Sequence, residues 1–422
     1  MAGARDDSYA ELGRRWPLVL AAASGVSLAS VTSASLGVMI EPIERDLGWT
    51  RTQITLGPSL VPLIVMVLST GGGLLIDRFG PRLVGLSAAT AFCAGLASFS
   101  LIGDHLWQWW GLWALIGVAS ATMPTVWLTP VSMIFTKGKG LAVALVLSGS
   151  GISTTLVPIL ANAQVQESGW RSAYLLISAI WFAIVMTLLI LFFRVGRAPK
   201  SQPTEGAAKS AQTSETLPGF TAREGFRQAS FWKLGIGAFL SMSAGVALIL
   251  NLVPVLRSTG LTPTTAASIA GLLGIATIVG RVFGGWLLDR FSAAAIASVS
   301  AAGCSLLPVL LLTMAGSVPV AAGAVAVYGL LGGAKVPAVA YLASRHFGQR
   351  AFGTLYGAIN TSIAFGVGAG PLVANMVYDS TSSYEIVMLV AVPFMLVAAI
   401  CYGLLGRYPD FDRAENGNSA AS

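Results

Sequence analysis

Charge is what this chain is shortest of: 10% of its 422 residues are Asp, Glu, Lys or Arg, against 55% that are hydrophobic. Soluble domains carry about 25% charged residues, so a water-soluble globule is excluded and a polytopic membrane protein is implied. Histidine is scarcer still, since His105 and His346 both lie at the ends of apolar spans. No Cys/His/Asp grouping has the spacing of a metal site or an activated nucleophile, which argues against an enzyme and leaves no cofactor to expect. The three cysteines, Cys93, Cys304 and Cys401, fall inside apolar spans, so a disulfide framework is not expected. No basic tract of the nucleic-acid-binding type accompanies the net charge of +7. No secretory leader is evident either, because the first apolar span is too long for one. None of the 18 acids falls in the middle of an apolar span.

What fills the chain instead is apolar length. Stretches of about 20 apolar residues each suit one membrane-crossing helix. Twelve are expected, near 17–40, 53–76, 83–103, 107–134, 140–164 and 171–194, then 232–256, 263–288, 293–314, 318–343, 352–377 and 384–405. The fold class is all-α, in two pseudo-symmetric six-helix bundles. Residues 1–194 form the first and 231–422 the second, and a solvated linker at 195–230, rich in Pro, Ser and Thr, joins them. The 48 glycines suit close helix packing in lipid. Lysine and arginine are unevenly shared: 19 on the side of the termini and linker, 4 on the opposite side, and 2 inside the membrane. That asymmetry predicts cytoplasmic termini in a plasma (inner) membrane.

An internal repeat supports the two bundles. Gly72-Gly73-Leu74-Leu75-Ile76-Asp77-Arg78-Phe79 matches Gly284-Gly285-Trp286-Leu287-Leu288-Asp289-Arg290-Phe291 at an offset of 212 residues, and Phe135 aligns with Phe347 at the same offset. Parallel repeats of this kind place a substrate site near mid-bilayer, between the halves.

The run from Gly73 through Asp77, Arg78, Phe79 and Gly80 to Arg82 resembles the signature loop between helices two and three of the major facilitator superfamily. A closer resemblance is to its monocarboxylate porter and oxalate/formate antiporter branch. That one rests on Gly48-Trp49-Thr50-Arg51, Gly169-Trp170-Arg171-Ser172-Ala173-Tyr174 and Gly280-Arg281. The resemblance implies that Arg281 holds a substrate carboxylate. It also implies that Asp77, Arg78 and Arg82, with Asp289 and Arg290 in the second copy, act as a conformational latch. Two features depart from the branch: helix one lacks an acidic-Gly pair, and helix eleven lacks a cation.

The residues argue towards the same place independently. Arg281 lies about 12 Å inward from Asp289 along a helix. A guanidinium that deep costs roughly 2.5–3.5 kcal/mol, so it is expected to face the protein interior or a wet cavity. The bland alternative is an architectural arginine bonded to helix carbonyls. Lys335 is the second intramembrane cation, expected at similar depth; it reads either as a second anion ligand or as an amine packed among Gly332, Gly333 and Pro337. Asn360 and Tyr356 in helix eleven, Thr277 in helix eight and Tyr328 in helix ten complete the candidate substrate site, helix packing being the rival reading for each. Trp107, Trp109 and Trp110 read as an interfacial belt, and Trp127 as a possible cavity wall. The glycine and proline runs of helices ten and eleven are expected to bend them.

Unpaired positive charge in a membrane cavity suits an anion that brings its own counter-charge. The expectation is a secondary active carrier of carboxylate-containing organic anions, with protons or a counter-transported anion as co-substrate and the lipid bilayer as surroundings. A proton-coupled symporter of simple monocarboxylates such as lactate or pyruvate is the alternative. A non-transporting membrane sensor with a carrier fold is the alternative of another class.

Overall fold

In the computed structural model, residues 2–135, 139–193, 219–288, 290–348 and 350–409 are described. Their regular structure is helical, with one isolated bridge between Gly219 and Gly348. Helix one is Ala2–Leu47, helix two Arg51–Phe79 and helix three Pro81–Ser98. Helix four comes in two pieces, Leu106–Ser120 and Met123–Ile134. Helices five and six run together as Lys139–Phe192, divided at Gly169, whose φ of 82° only a residue without a Cβ adopts cheaply. This is why eleven apolar helices, one of them double length, hold the twelve expected crossings among the described residues. Helix seven is Ala229–Leu250 continued by Leu252–Ser258, helix eight Pro263–Leu288, and helix nine Ala293–Cys304 with Leu306–Thr313. Helices ten, eleven and twelve are Val318–Phe347, Phe352–Thr381 and Glu385–Gly403.

Helices two, eight and ten end on the side that also receives the chain after helix six. That side is called the linker face here, and the opposite one the far face. Two seams join the first six helices to the last six. In one, helix five packs on helix eight through glycines: Gly271 lies under the Thr155 carbonyl, and a side chain at Gly274 would overlap Gly151 and Thr155. In the other, helix two meets helix eleven where Gly368 lies under the Ser59 carbonyl. Small residues are what allow such backbone approach in lipid.

Several expectations change. Helices ten and eleven are each continuous, and their glycines are contact points instead of breaks: Gly333 sits against helix eight, while Gly366 and Gly370 sit against helix seven. The breaks fall at Ala121–Thr122 in helix four, at Asn251 in helix seven and at Ser305 in helix nine. Residues 195–218 of the expected linker lie outside the described residues. Its last part is not free chain, because Phe220 donates its N–H to the Phe347 carbonyl (3.1 Å) and Gly225 packs on Leu355. Thr221 caps the short helix Ala222–Arg227 with a reciprocal Glu224 bond, a sequence signal for a helix start. The Thr221 N–H bond holds the Glu224 carboxyl below its usual range. Of the three tryptophans read as a belt, only Trp107 is outside (68% exposed). Trp109 and Trp110 donate to the Ile54 and Gln53 carbonyls and tie helix four to helix two. Trp127 is 1% exposed, wedged against Gly25 and Gly85, so it walls no cavity.

Candidate functional site

Arg281 stands seven residues, about 10 Å, before the last residue of helix eight. Helix eight carries it on the face that meets helix five, just linkerward of the Gly274–Gly151 crossing. From there the guanidinium leaves its own half of the molecule. Nη1 donates to the Leu147 carbonyl and to Ser150 Oγ, the latter at 2.6 Å. Ser150 Oγ in turn donates to the Leu147 carbonyl at 2.9 Å. Arg281 is half-buried, and none of the ion pairs found among the described residues involves it. Among the described residues, this charged group is therefore held by dipoles, on the half of the molecule to which it does not belong.

The other predicted site residues do not gather round it. Gly333 abuts the Arg281 backbone, which places Lys335 at comparable depth as expected. The Lys335 side chain, however, is 3% exposed inside the last six helices, and its electrostatic neighbour is the Cys304 thiol on helix nine. Tyr328 is buried with its hydroxyl beside Gly245 of helix seven, the packing role weighed for it above. Thr277 Oγ1 donates to the Leu273 carbonyl of its own helix (2.7 Å). Tyr356 is half-buried against the core at the linker end, and Asn360 is exposed on helix eleven. A cavity of about 400 Å³ opens beside it, between helices two, seven and eleven. Its lining is mostly apolar, including Met66, Phe239 and Phe365, with Thr361 and Ser362 as polar members.

Of the latch residues, the Asp77 side chain and Asp289 lie outside what is described. Arg82 Nη2 donates to the Ile190 carbonyl at the end of helix six (3.0 Å). Arg78 stands 5.3 Å over Phe79, and Arg290 4.2 Å over Trp286.

A second polar cluster, which the sequence did not single out, joins the halves at the far face. Arg51, 6% exposed, bonds Glu44 (2.9 Å) and the Tyr384 hydroxyl (2.8 Å) and lies 3.7 Å over the Tyr378 ring. Tyr384 donates to Asn251 and Asn375, each at 3.2 Å. The Asp379 carboxylate accepts the backbone N–H groups of Arg51 (3.0 Å) and Thr52 (2.8 Å), so the start of helix two is capped by helix eleven. Arg257 pairs with Glu41 across the same face. Arg51 was visible as one of four far-face arginines and as the end of the Gly48-Trp49-Thr50-Arg51 resemblance, with no role attached; its partners in the second half lie 328 and 333 residues away. Asp46 stays within the first half, where it accepts from Trp170 (3.0 Å) and pairs with Arg171.

Eleven apolar helices among the described residues, one of them double length, make two joined sets of six crossings, the architecture of a multi-pass membrane protein. The chain belongs to the Major Facilitator Superfamily, whose sequence profile matches residues 22–371 and 258–421. It is 25% identical to the oxalate:formate antiporter of Oxalobacter formigenes over 275 residues, 65% of this chain and 62% of the antiporter. It is 23% identical to monocarboxylate transporter 12 of Mus musculus over 373 residues, 82% of this chain and 76% of that one. In structure it resembles a bacterial homolog of the human lysosomal transporter Spinster, solved inward-facing and unoccupied. The TM-score is 0.70 at 17% identity, covering 93% of this chain and 96% of that one.

Proposed function

We propose that this transporter carries organic anions containing a carboxylate, by alternating access, as a secondary active carrier. One observation carries the reading: Arg281 is a cation inside the membrane whose bonded partners, a carbonyl and a hydroxyl, carry no charge. A carboxylate arriving there would offer the guanidinium two parallel, charge-assisted bonds. Lys335 adds positive potential at similar depth from within the second half, and a dianion feels that field twice. The names of the relatives, an oxalate:formate antiporter and a monocarboxylate transporter, favour the same cargo class. The far-face cluster and the two seams suit a carrier closed on that side and receiving cargo from the linker face. The lysine and arginine asymmetry supports a cytoplasmic linker face, and the membrane proposed is the plasma (inner) membrane. Arg78 and Arg82, with Asp77, and Arg290 with Asp289, keep the latch role that the family motif implies. Proton symport and anion exchange both remain compatible with one cation at the seam. Uptake driven by a pH gradient, compared with counterflow, separates them.

The test is uptake of radiolabelled L-lactate and oxalate into proteoliposomes. Saturable uptake is expected for at least one of them, and its loss in Arg281→Ala. Full transport by that variant would sink the reading.

A further inference from the structure

Resting on that reading, the bond across the seam assigns a role to a residue not yet placed in the site. We propose that Ser150 is a positioning residue that competes with the cargo for Arg281. In the empty carrier, Ser150 Oγ and the Leu147 carbonyl hold the guanidinium on helix five, and a carboxylate binds by displacing that hold.

The geometry is specific. Ser150 Oγ is a donor to Leu147 and an acceptor from Arg281 at once, so the hydroxyl is polarised towards the arginine. The Leu147 carbonyl receives both hydrogens, and the three groups form a closed ring. A carboxylate that grips the guanidinium end-on, through Nη1 and Nη2, must take one of the two Nη1 hydrogens and so break one of the ring's two bonds to Arg281, while Ser150 keeps its bond to Leu147. Among the described residues the Ser150 side chain makes no other hydrogen bond, since the bonds from Ser153 and Thr154 reach its main-chain carbonyl. Its removal therefore leaves helix five otherwise intact.

The bond also joins the halves. Helix eight and helix five belong to opposite halves, so in the empty carrier this contact does part of what the cargo does when loaded. It neutralises the arginine's demand for partners while the seam stays closed. An empty carrier that holds its own arginine can return without cargo, and one that cannot must wait for an anion.

Two readouts follow. Binding is measured on the purified full chain as the shift of melting temperature against sodium L-lactate and sodium oxalate. Transport is measured as uptake of the same labelled anion into proteoliposomes that are either empty or preloaded with it. In Ser150→Ala, affinity for the bound anion is expected to rise about three- to tenfold, the scale of one ordinary intramolecular hydrogen bond. Net uptake into empty vesicles is expected to fall relative to exchange into preloaded ones. Ser150→Thr, which keeps the hydroxyl, should restore both. Unchanged or weakened affinity in Ser150→Ala, or an unaltered ratio of net uptake to exchange, overturns the proposal and leaves Arg281 as the anion ligand. A wild-type protein that neither anion stabilises, and that moves neither, overturns the carboxylate reading together with this one.

Discussion

A guanidinium at a helix seam differs from an ammonium there in shape more than in charge. Arg281 bonds two acceptors from one nitrogen, Leu147 and Ser150, and a cargo carboxylate that displaces one of them meets a planar fork of parallel donors. Lysine at that position keeps the charge and loses the fork. Arg281→Lys is therefore expected to retain transport with an affinity lowered about tenfold, read as the KM of initial uptake. A KM unchanged from wild type would reduce the residue to a point charge. The residue itself was legible, because a lone charge in an apolar run is the loudest signal a membrane sequence carries. Its partner was not: the Leu147 carbonyl is main chain, which every residue has, and the serine beside it reads like any small helix-packing residue. Lys335 was legible for the same reason as Arg281. Its side chain packs inside the second half, the second of the two readings given for it; spacing along a helix fixes level more firmly than rotation about the bundle, so the choice between them was open.

Helices meet here through glycines whose missing side chains set the distance. Along helix five, Gly149 packs on the Ala23 carbonyl of helix one, and Gly151 packs on Ile278 and Gly274 of helix eight. Two residues apart, they face opposite halves, so helix five is clasped from both sides. Gly274→Leu would drive a side chain into the Gly151 carbonyl and Thr155, in a seam with no slack. It is expected to cost several kcal/mol, at or beyond the roughly 1–3 kcal/mol typical of overpacking, and to lower the melting temperature clearly. Gly323→Ala, where nothing lies within contact distance, is the matched control and should behave as wild type. Equal melting temperatures for the two would mean that the five–eight seam is looser than its geometry. Helix number and order were readable from apolar length alone. What the glycines do was not, since a run such as Gly366-x-Gly368-x-Gly370 fits a bend and a contact equally well until the neighbour is known.

For the molecule as a whole, the question is what holds the far face together. The fastening is polar and its parts depend on one another: buried Tyr384 links Arg51 to two buried asparagines, while the exposed Asp379 caps helix two. Removing one member leaves its partners unsatisfied, at about 1–3 kcal/mol each. A shift of that size moves a two-state equilibrium roughly 5- to 150-fold. Asp379→Ala with Tyr384→Phe should therefore populate a form open at the far face. In a Cys401→Ser background, Ser59→Cys would then react with a membrane-impermeant maleimide from that side faster than in the otherwise unaltered protein; equal rates would exclude this cluster as the fastening. Sequence reading missed it because far-face arginines look like solvated loop charge, and no local pattern ties Arg51 to a carboxylate 328 residues on.

That carboxylate has one further consequence. The opening amides of helix two are an anion-binding site that Asp379 occupies only while the halves are together. Once they part, those two N–H groups lose their acceptor and turn to water, so the start of helix two weighs against opening on that side.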